Sequence, residues 1–205
     1  MPEKFENFGA DRNNTKEEIF KSYSRDLDLK PEDLEGKILD IGAGASEFAK
    51  WAKEHGVSDQ IYSLDPGRRH REEKEKSVRG RADALPFEDQ VFDLVISNSA
   101  IPNILGEEDR EQMERDVRES VKEALRVLKS GGEIRLGRVI RNSNKDYQKD
   151  LQHFFDSVLG ELVRKGHRVE MYHKKYADIY RKYEDGRKEL SAESYLVKIK
   201  KPELK

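Results

Sequence analysis

Residues 38–56 read ILDIGAGASEFAKWAKEHG. A strand that is apolar on both faces, broken only by Asp40, runs into a turn with two glycines, Gly42 and Gly44. A helix follows, with Phe48, Ala49, Trp51 and Ala52 turned inward. A strand with no polar face belongs inside a sheet covered on both sides, typically a parallel sheet flanked by helices. The alternation recurs down the chain. Strands are predicted at 37–42, 60–65, 78–83, 91–98 and 133–140, with helices at 46–55 and 107–128 among them. Met113, Val117, Val121, Ala124, Leu125 and Leu128 give the long helix its buried stripe, and Gly131 or Gly132 is expected to cap it in the left-handed conformation.

The two ends complete the pattern. Residues 1–14 form a loose polar arm. Thr15 and Glu18 then make a capping box for a short helix carrying Ile19, Phe20 and Tyr23. The polar segment 66–77 reads as a short exposed helix, and 145–164 as a longer one burying Tyr147, Leu151, Phe154, Phe155, Val158 and Leu162. The last strands are expected at 167–172 and 194–200. No apolar helix separates them, so one should run antiparallel. The expected fold class is α/β: a doubly wound, mostly parallel seven-stranded sheet with an antiparallel strand near the C-terminal end and helices on both faces. Residues 15–205 form one domain, with an insertion at 173–193.

Charge narrows the choice of partner. Lys and Arg number 40 against 42 Asp and Glu, so the net charge of −2 draws neither nucleic acid nor an anionic membrane to the whole molecule. The absence of cysteine excludes disulfides, thiolate metal sites and a cysteine nucleophile, and no metal site is expected. No apolar run approaches the ~20 residues of a membrane span, and the polar start lacks a signal-peptide core. A cytoplasmic protein is the expectation, with the oligomeric state open.

The glycine turn lies where open parallel sheets bind ligands, beyond the carboxyl ends of the strands. A tight turn with no ligand is the plainer reading of two glycines. Three carboxylates argue for more. Asp40 interrupts a buried strand, where a carboxylate needs a partner. Asp65 ends the second strand about 20 residues beyond the turn, placed for ribose hydroxyls. Asp83 ends the third predicted strand, placed for an exocyclic amine. A pyrophosphate suits the site poorly. Glu47 stands where the dinucleotide fingerprint has its third glycine, and Asp40 would repel phosphate. A cationic or zwitterionic adenosine ligand fits better.

The segments ILDIGAGAS (38–46), IYSLD (61–65), RADALPFEDQVFDLVISNS (81–99) and EALRVLKSGGEIRL (123–136) resemble, in order and spacing, the class I, Rossmann-like, S-adenosylmethionine-dependent methyltransferases, most closely their small single-domain, type 11-like branch. The resemblance implies S-adenosyl-L-methionine (SAM) as cofactor. It implies that Asp40, Gly42 and Gly44 face the methionine part and that Asp65 holds the ribose. Asp83, Ala84 and Leu85 would meet the adenine, and Asn98 and Ser99 would lie near the sulfonium and the substrate. The chain departs from the family pattern at Ser46, which replaces a third glycine and is expected to cap the next helix. It departs again at Pro102 and Asn103, where many small-molecule members have histidine. The Asn/Asp-Pro-Pro-aromatic signature of base methylation is also absent.

Methyl transfer from a sulfonium mainly requires alignment of a nucleophile, and no residue is singled out as catalytic base. His55, His70, His153, His167 and His173 lie off the predicted cofactor edge. Tyr23 is expected to pack in the core rather than close over the pocket. The acceptor is expected to be a small molecule. An RNA or protein acceptor is the alternative, served by the basic GRRHR stretch (67–71) or by HKKYADIYRKYEDGRK (173–188). In the latter, Tyr176, Tyr180 and Tyr183 have helical spacing among lysines and arginines; a surface helix with solvated lysines is the plainer reading. A non-catalytic SAM-binding module and a nicotinamide oxidoreductase are the remaining readings.

Overall fold

The computed structural model describes residues 14–67, 76–103, 109–182 and 187–203. Most of the predicted arm at 1–14, positions 68–75 of the predicted exposed helix, most of GRRHR and Tyr183 lie outside these residues. The elements follow the expected alternation: α1 (Lys16–Asp26), β1 (Ile38–Ile41), α2 (Glu47–Glu54), β2 (Ile61–Asp65), β3 (Ser77–Arg79), β4 (Phe92–Asn98), α3 (Arg110–Val127), β5 (Leu128–Arg141), α4 (Asp146–Arg164), β6 (Arg168–His173), β7 (Ile179–Lys182) and β8 (Lys188–Lys200). Seven strands run in the order β3-β2-β1-β4-β5-β8-β6, with β7 paired to β8 off that path. The pairs from β3 to β5 are parallel. β8 is the antiparallel strand, wedged between β5 and β6. Strand order reverses between β1 and β4, and the carboxyl ends of the strands at such a switch point are where open α/β sheets have their ligand crevice.

Side-chain alternation assigns the two faces. Leu39, Ile41 and Val95 join the core made with α3 and α4. Ile38, Leu94 and Ile96 join a second core with Phe48 and Ala52 of α2 and, at its margin, Phe20 and Tyr23 of α1. Asp40 therefore points to the α1–α2 side.

The capping box that starts α1 is formed: Thr15 Oγ1 accepts from Glu18 N, and Glu18 Oε2 accepts from Thr15 N at 2.8 Å. Phe20 stacks on Phe48 and Trp51, and Tyr23 stacks on Phe48 at 4.8 Å. Charge fixes the end of α1 and the loop beyond it. Arg138 Nε donates to Asp26 at 2.7 Å, the Arg135 fork meets both oxygens of Asp33 at 2.8 Å, and Lys198 reaches Asp28 at 3.0 Å.

The structure corrects three local expectations. Residues 173–182 do not form the expected surface helix. A 3-10 turn, Lys175–Ala177, leads into β7, which pairs antiparallel with the start of β8. That pairing satisfies backbone groups which an isolated, charge-rich helix would satisfy without burying an apolar face. No left-handed glycine caps α3. Leu128 is already extended, and β5 begins there. Gly131 does have positive φ, but within the strand. Finally, β3 stops at Arg79, short of the predicted 83.

Phe48 is 1% exposed and is stacked by two rings from α1. Phe48→Ala is expected to cost about 3–5 kcal/mol, read as a lower urea midpoint.

Candidate functional site

The crevice is built on the glycine turn. Gly42 has φ +79°, and a side chain there would begin 2.2 Å from the Ala100 Cβ, so the segment after β4 packs directly against it. Gly44 has φ +56°, and nothing lies within 4 Å of where its side chain would start. One glycine serves close packing inside the protein; the other leaves the backbone accessible. Asp65 holds the turn. Its Oδ2 accepts from Gly44 N at 2.9 Å and its Oδ1 from Gly67 N at 2.8 Å. Ser46 occupies the N-cap position of α2 in the left-handed conformation. Its hydroxyl makes no capping bond, which corrects the expected role; it lies 3.4 Å from the Ser77 hydroxyl.

Asp40 is fully buried, and among the described residues neither carboxylate oxygen has a hydrogen-bond partner. Burial, and then the neighbouring Asp65 charge, push its pKa up to about 8. Tyr23 belongs to the same crevice. Burial, Asp40 and Asp65 raise its phenol well above the ordinary value. Its ring packs in the core, as expected, while its hydroxyl lies in the field of the two carboxylates.

Asp83 sits in a turn closed by an Arg81–Ala84 bridge, not on a strand tip. Arg81 grips it through two 2.8 Å bonds, which hold its carboxyl below the usual range. Ala84 is exposed. Leu85 is buried, and its N donates to Glu123 Oε2 at 2.9 Å. Arg126 fixes the same loop by donating to the carbonyls of Leu85 and Phe87. Sequence reasoning assigned no role to Glu123 or Arg126, although both fall within the matching segment 123–136.

At the end of β4, Asn98 Nδ2 approaches Asp26 Oδ2 at 3.4 Å while its Oδ1 is buried without a partner. Ser99 has φ +70° and donates its N–H to Gly137 O. Asp26, 2% exposed, also accepts from Ser22 and from Arg138. This polar knot beside the crevice was missed. Arg138 reaches it from a bulge, with φ +53°, where the β5–β8 register slips. Asp40, Gly42, Gly44, Asp65, Asn98 and Ser99 thus gather where β1, β2 and β4 end, with Asp83, Ala84 and Leu85 on the turn after β3. Of the histidines, His55 stacks on Trp51, and His173, at the end of β6, lies 3.0 Å from Asp178.

Residues 39–136 match the family model described as "Methyltransferase domain". The chain carries a methyltransferase domain over that stretch. No curated protein matches it in sequence. Among solved structures, the YcgJ protein of Bacillus subtilis superposes with TM-score 0.58 at 15% identity, covering 88% of this chain and 99% of that one. A SAM-dependent methyltransferase of Thermotoga maritima, described as a possible histamine N-methyltransferase, gives 0.51 at 22% identity, covering 91% and 90%. A Haloferax volcanii methyltransferase, solved with the activator Trm112, gives 0.56 at 14% identity, covering 93% and 94%. At such identities the likeness establishes the methyltransferase fold over nearly the whole of each chain.

The two glycines should respond differently to a methyl group. Gly42→Ala combines a left-handed alanine with overpacking on Ala100, and should cost about 2–5 kcal/mol. Gly44→Ala meets no atom and should cost about 1–2 kcal/mol. Urea unfolding of both variants measures the difference.

Proposed function

We propose that this methyltransferase binds SAM in the crevice between β1 and β4 and methylates a small molecule. The observation that carries the reading is the Asp40 carboxylate, buried and unpartnered beside an open glycine turn. A buried acid without a partner is costly, and the ammonium of a methionine would complete it. The rest of the donor set fits as well. Asp65 uses one lone pair of each oxygen on the turn, and a carboxylate has about four acceptor sites, so two remain for ribose hydroxyls. Gly44 offers backbone without a side chain to the methionine part, and Gly42 brings the segment after β4 alongside. Asp83, Ala84 and Leu85 flank the adenine. Asp40 and Glu47 both oppose the pyrophosphate of a nicotinamide dinucleotide.

When bound, SAM supplies a methyl group already activated by its sulfonium. The protein's part is then to bind, align and shield. Asn98 and Ser99 bound the reacting end. Tyr23 and α1 cover the crevice and exclude water, anchored by Asp26–Arg138. No side chain is assigned as base; alignment is the proposed source of rate. For the acceptor, the basic segment at 173–188 supports RNA less than its spacing suggested. Tyr176 donates its hydroxyl to Arg25 O, and its ring lies under the Arg25 guanidinium at 4.4 Å, so it is engaged within the molecule.

Titration calorimetry with S-adenosylhomocysteine (SAH) and with NAD tests the cofactor assignment. SAH should bind and NAD should not. Asp65→Ala should weaken SAH by roughly 10- to 100-fold, as expected for lost hydrogen bonds to a charged group. Unchanged affinity in that variant, or a preference for NAD, would refute the assignment.

A further inference from the structure

Asp40 occupies an unusual position for a carboxylate. It is 0% exposed, on the central strand β1, between Leu39 and Ile41 of the opposite core. Its register partners are Ser63 on β2 and Ile96 on β4, and the Ser63 hydroxyl is itself buried without a partner. The titratable groups that face it are acids. Asp65 stands at the end of β2, and the Tyr23 phenol reaches over from α1. Asp26, further along α1, is acidic too. The cation nearest this group of acids, Arg138 of β5, is joined to Asp26 at 2.7 Å. Among the described residues no cation and no hydrogen-bond donor meets either Asp40 oxygen. An ionised carboxylate held this way would carry its full desolvation cost and the repulsion of Asp65.

We propose that Asp40 is protonated in the unliganded enzyme and releases its proton to solvent when the cofactor's ammonium docks, so that cofactor binding is coupled to the loss of one proton. The inference rests on the cofactor reading above and adds to it how the site changes charge. The balance is simple. The neutral carboxyl and the incoming ammonium become a carboxylate–ammonium pair, and the carboxyl O–H proton leaves as the pair forms. An ammonium in contact reverses the electrostatics of the site, because an opposite charge within a few ångströms favours the ionised form. The enzyme thereby avoids an uncompensated buried charge while empty and gains a full ion pair when loaded. The pair also makes recognition depend on the amino-acid end of the cofactor, because an adenosine compound without the ammonium gives Asp40 no reason to ionise.

The coupling fixes the direction of the pH dependence. With Asp40 near pKa 8 in the free protein, SAH affinity should rise close to tenfold per pH unit below that value, level off near it, and fall once the ligand's own ammonium loses its proton. The sign for folding is opposite. A carboxyl whose folded pKa is raised contributes stability that is complete below the ordinary carboxylate range and is lost as pH rises through about 8.

Calorimetric titration of the full chain with SAH at pH 7, in buffers of low and high ionisation enthalpy, reads the proton directly. Close to one proton should be released per SAH bound. 5′-Methylthioadenosine, which lacks the ammonium, should release none, and neither should SAH with Asp40→Asn. In the free protein, the urea midpoint of the parent should fall relative to that of Asp40→Asn between pH 5 and pH 8.5. SAH heats identical in every buffer would overturn the coupling while leaving the cofactor assignment intact. Parallel midpoints of the parent and Asp40→Asn across that pH range would overturn it without any ligand. No SAH heat in any buffer would overturn the cofactor assignment and this inference together.

Discussion

Asp40 places a carboxylate in the middle of an apolar strand, on the face of the sheet covered by α1 and α2, with no hydrogen-bond partner among the described residues. In the proposed reading that position serves a ligand's ammonium. β1 is central and paired on both sides, so the residue cannot turn to water. Asp65, the second carboxylate of the crevice, is by contrast well satisfied, because it accepts from the turn it supports. One acid therefore holds the turn while the other is left, in the proposed reading, for a cation, and the two differ by their hydrogen bonds rather than by residue type.

The cover of the crevice is held by charge as much as by packing. α1 lies on Phe48 through Phe20 and Tyr23, and its end is tied to β5 by the pair of buried Asp26 with half-buried Arg138. Such pairs are poor sources of net stability but are costly to break once one partner is stranded. Their value here is positional: they fix where Tyr23 stands over the two carboxylates. Arg135, gripping Asp33, and Lys198, on Asp28, extend the same arrangement along the loop after α1. The N-terminal helix is therefore part of the site rather than an appendage to the sheet.

The parallel half of the sheet was legible because its strands are apolar on both faces and are separated by turns and helical patterns, as in VFDLVISN. The placement of Asp40, Asp65 and the glycines at strand ends was legible because it follows from the strand–turn–helix pattern alone. What escaped came from tertiary pairing. The tyrosine spacing at 176 and 180 imitates a helix, yet the start of β8 captures the segment as β7. Asp83 was expected on a strand tip, but β3 is only three residues long and a turn carries the acid instead. Asp26 and Arg138 meet across 112 residues, and neither has a local pattern that announces the other. The bulge that aims Arg138 takes in Gly137 and Arg138, where the β5–β8 register slips, and the isolated glycine inside the strand is the one local signal that marks it.

A crystal structure of the full chain grown with SAH tests the central claim most directly. The account predicts the ligand in the crevice between β1 and β4, with its ammonium on the Asp40 carboxylate and its ribose hydroxyls on Asp65. SAH bound elsewhere, or bound in the crevice with its amino-acid end turned away from Asp40, would contradict it.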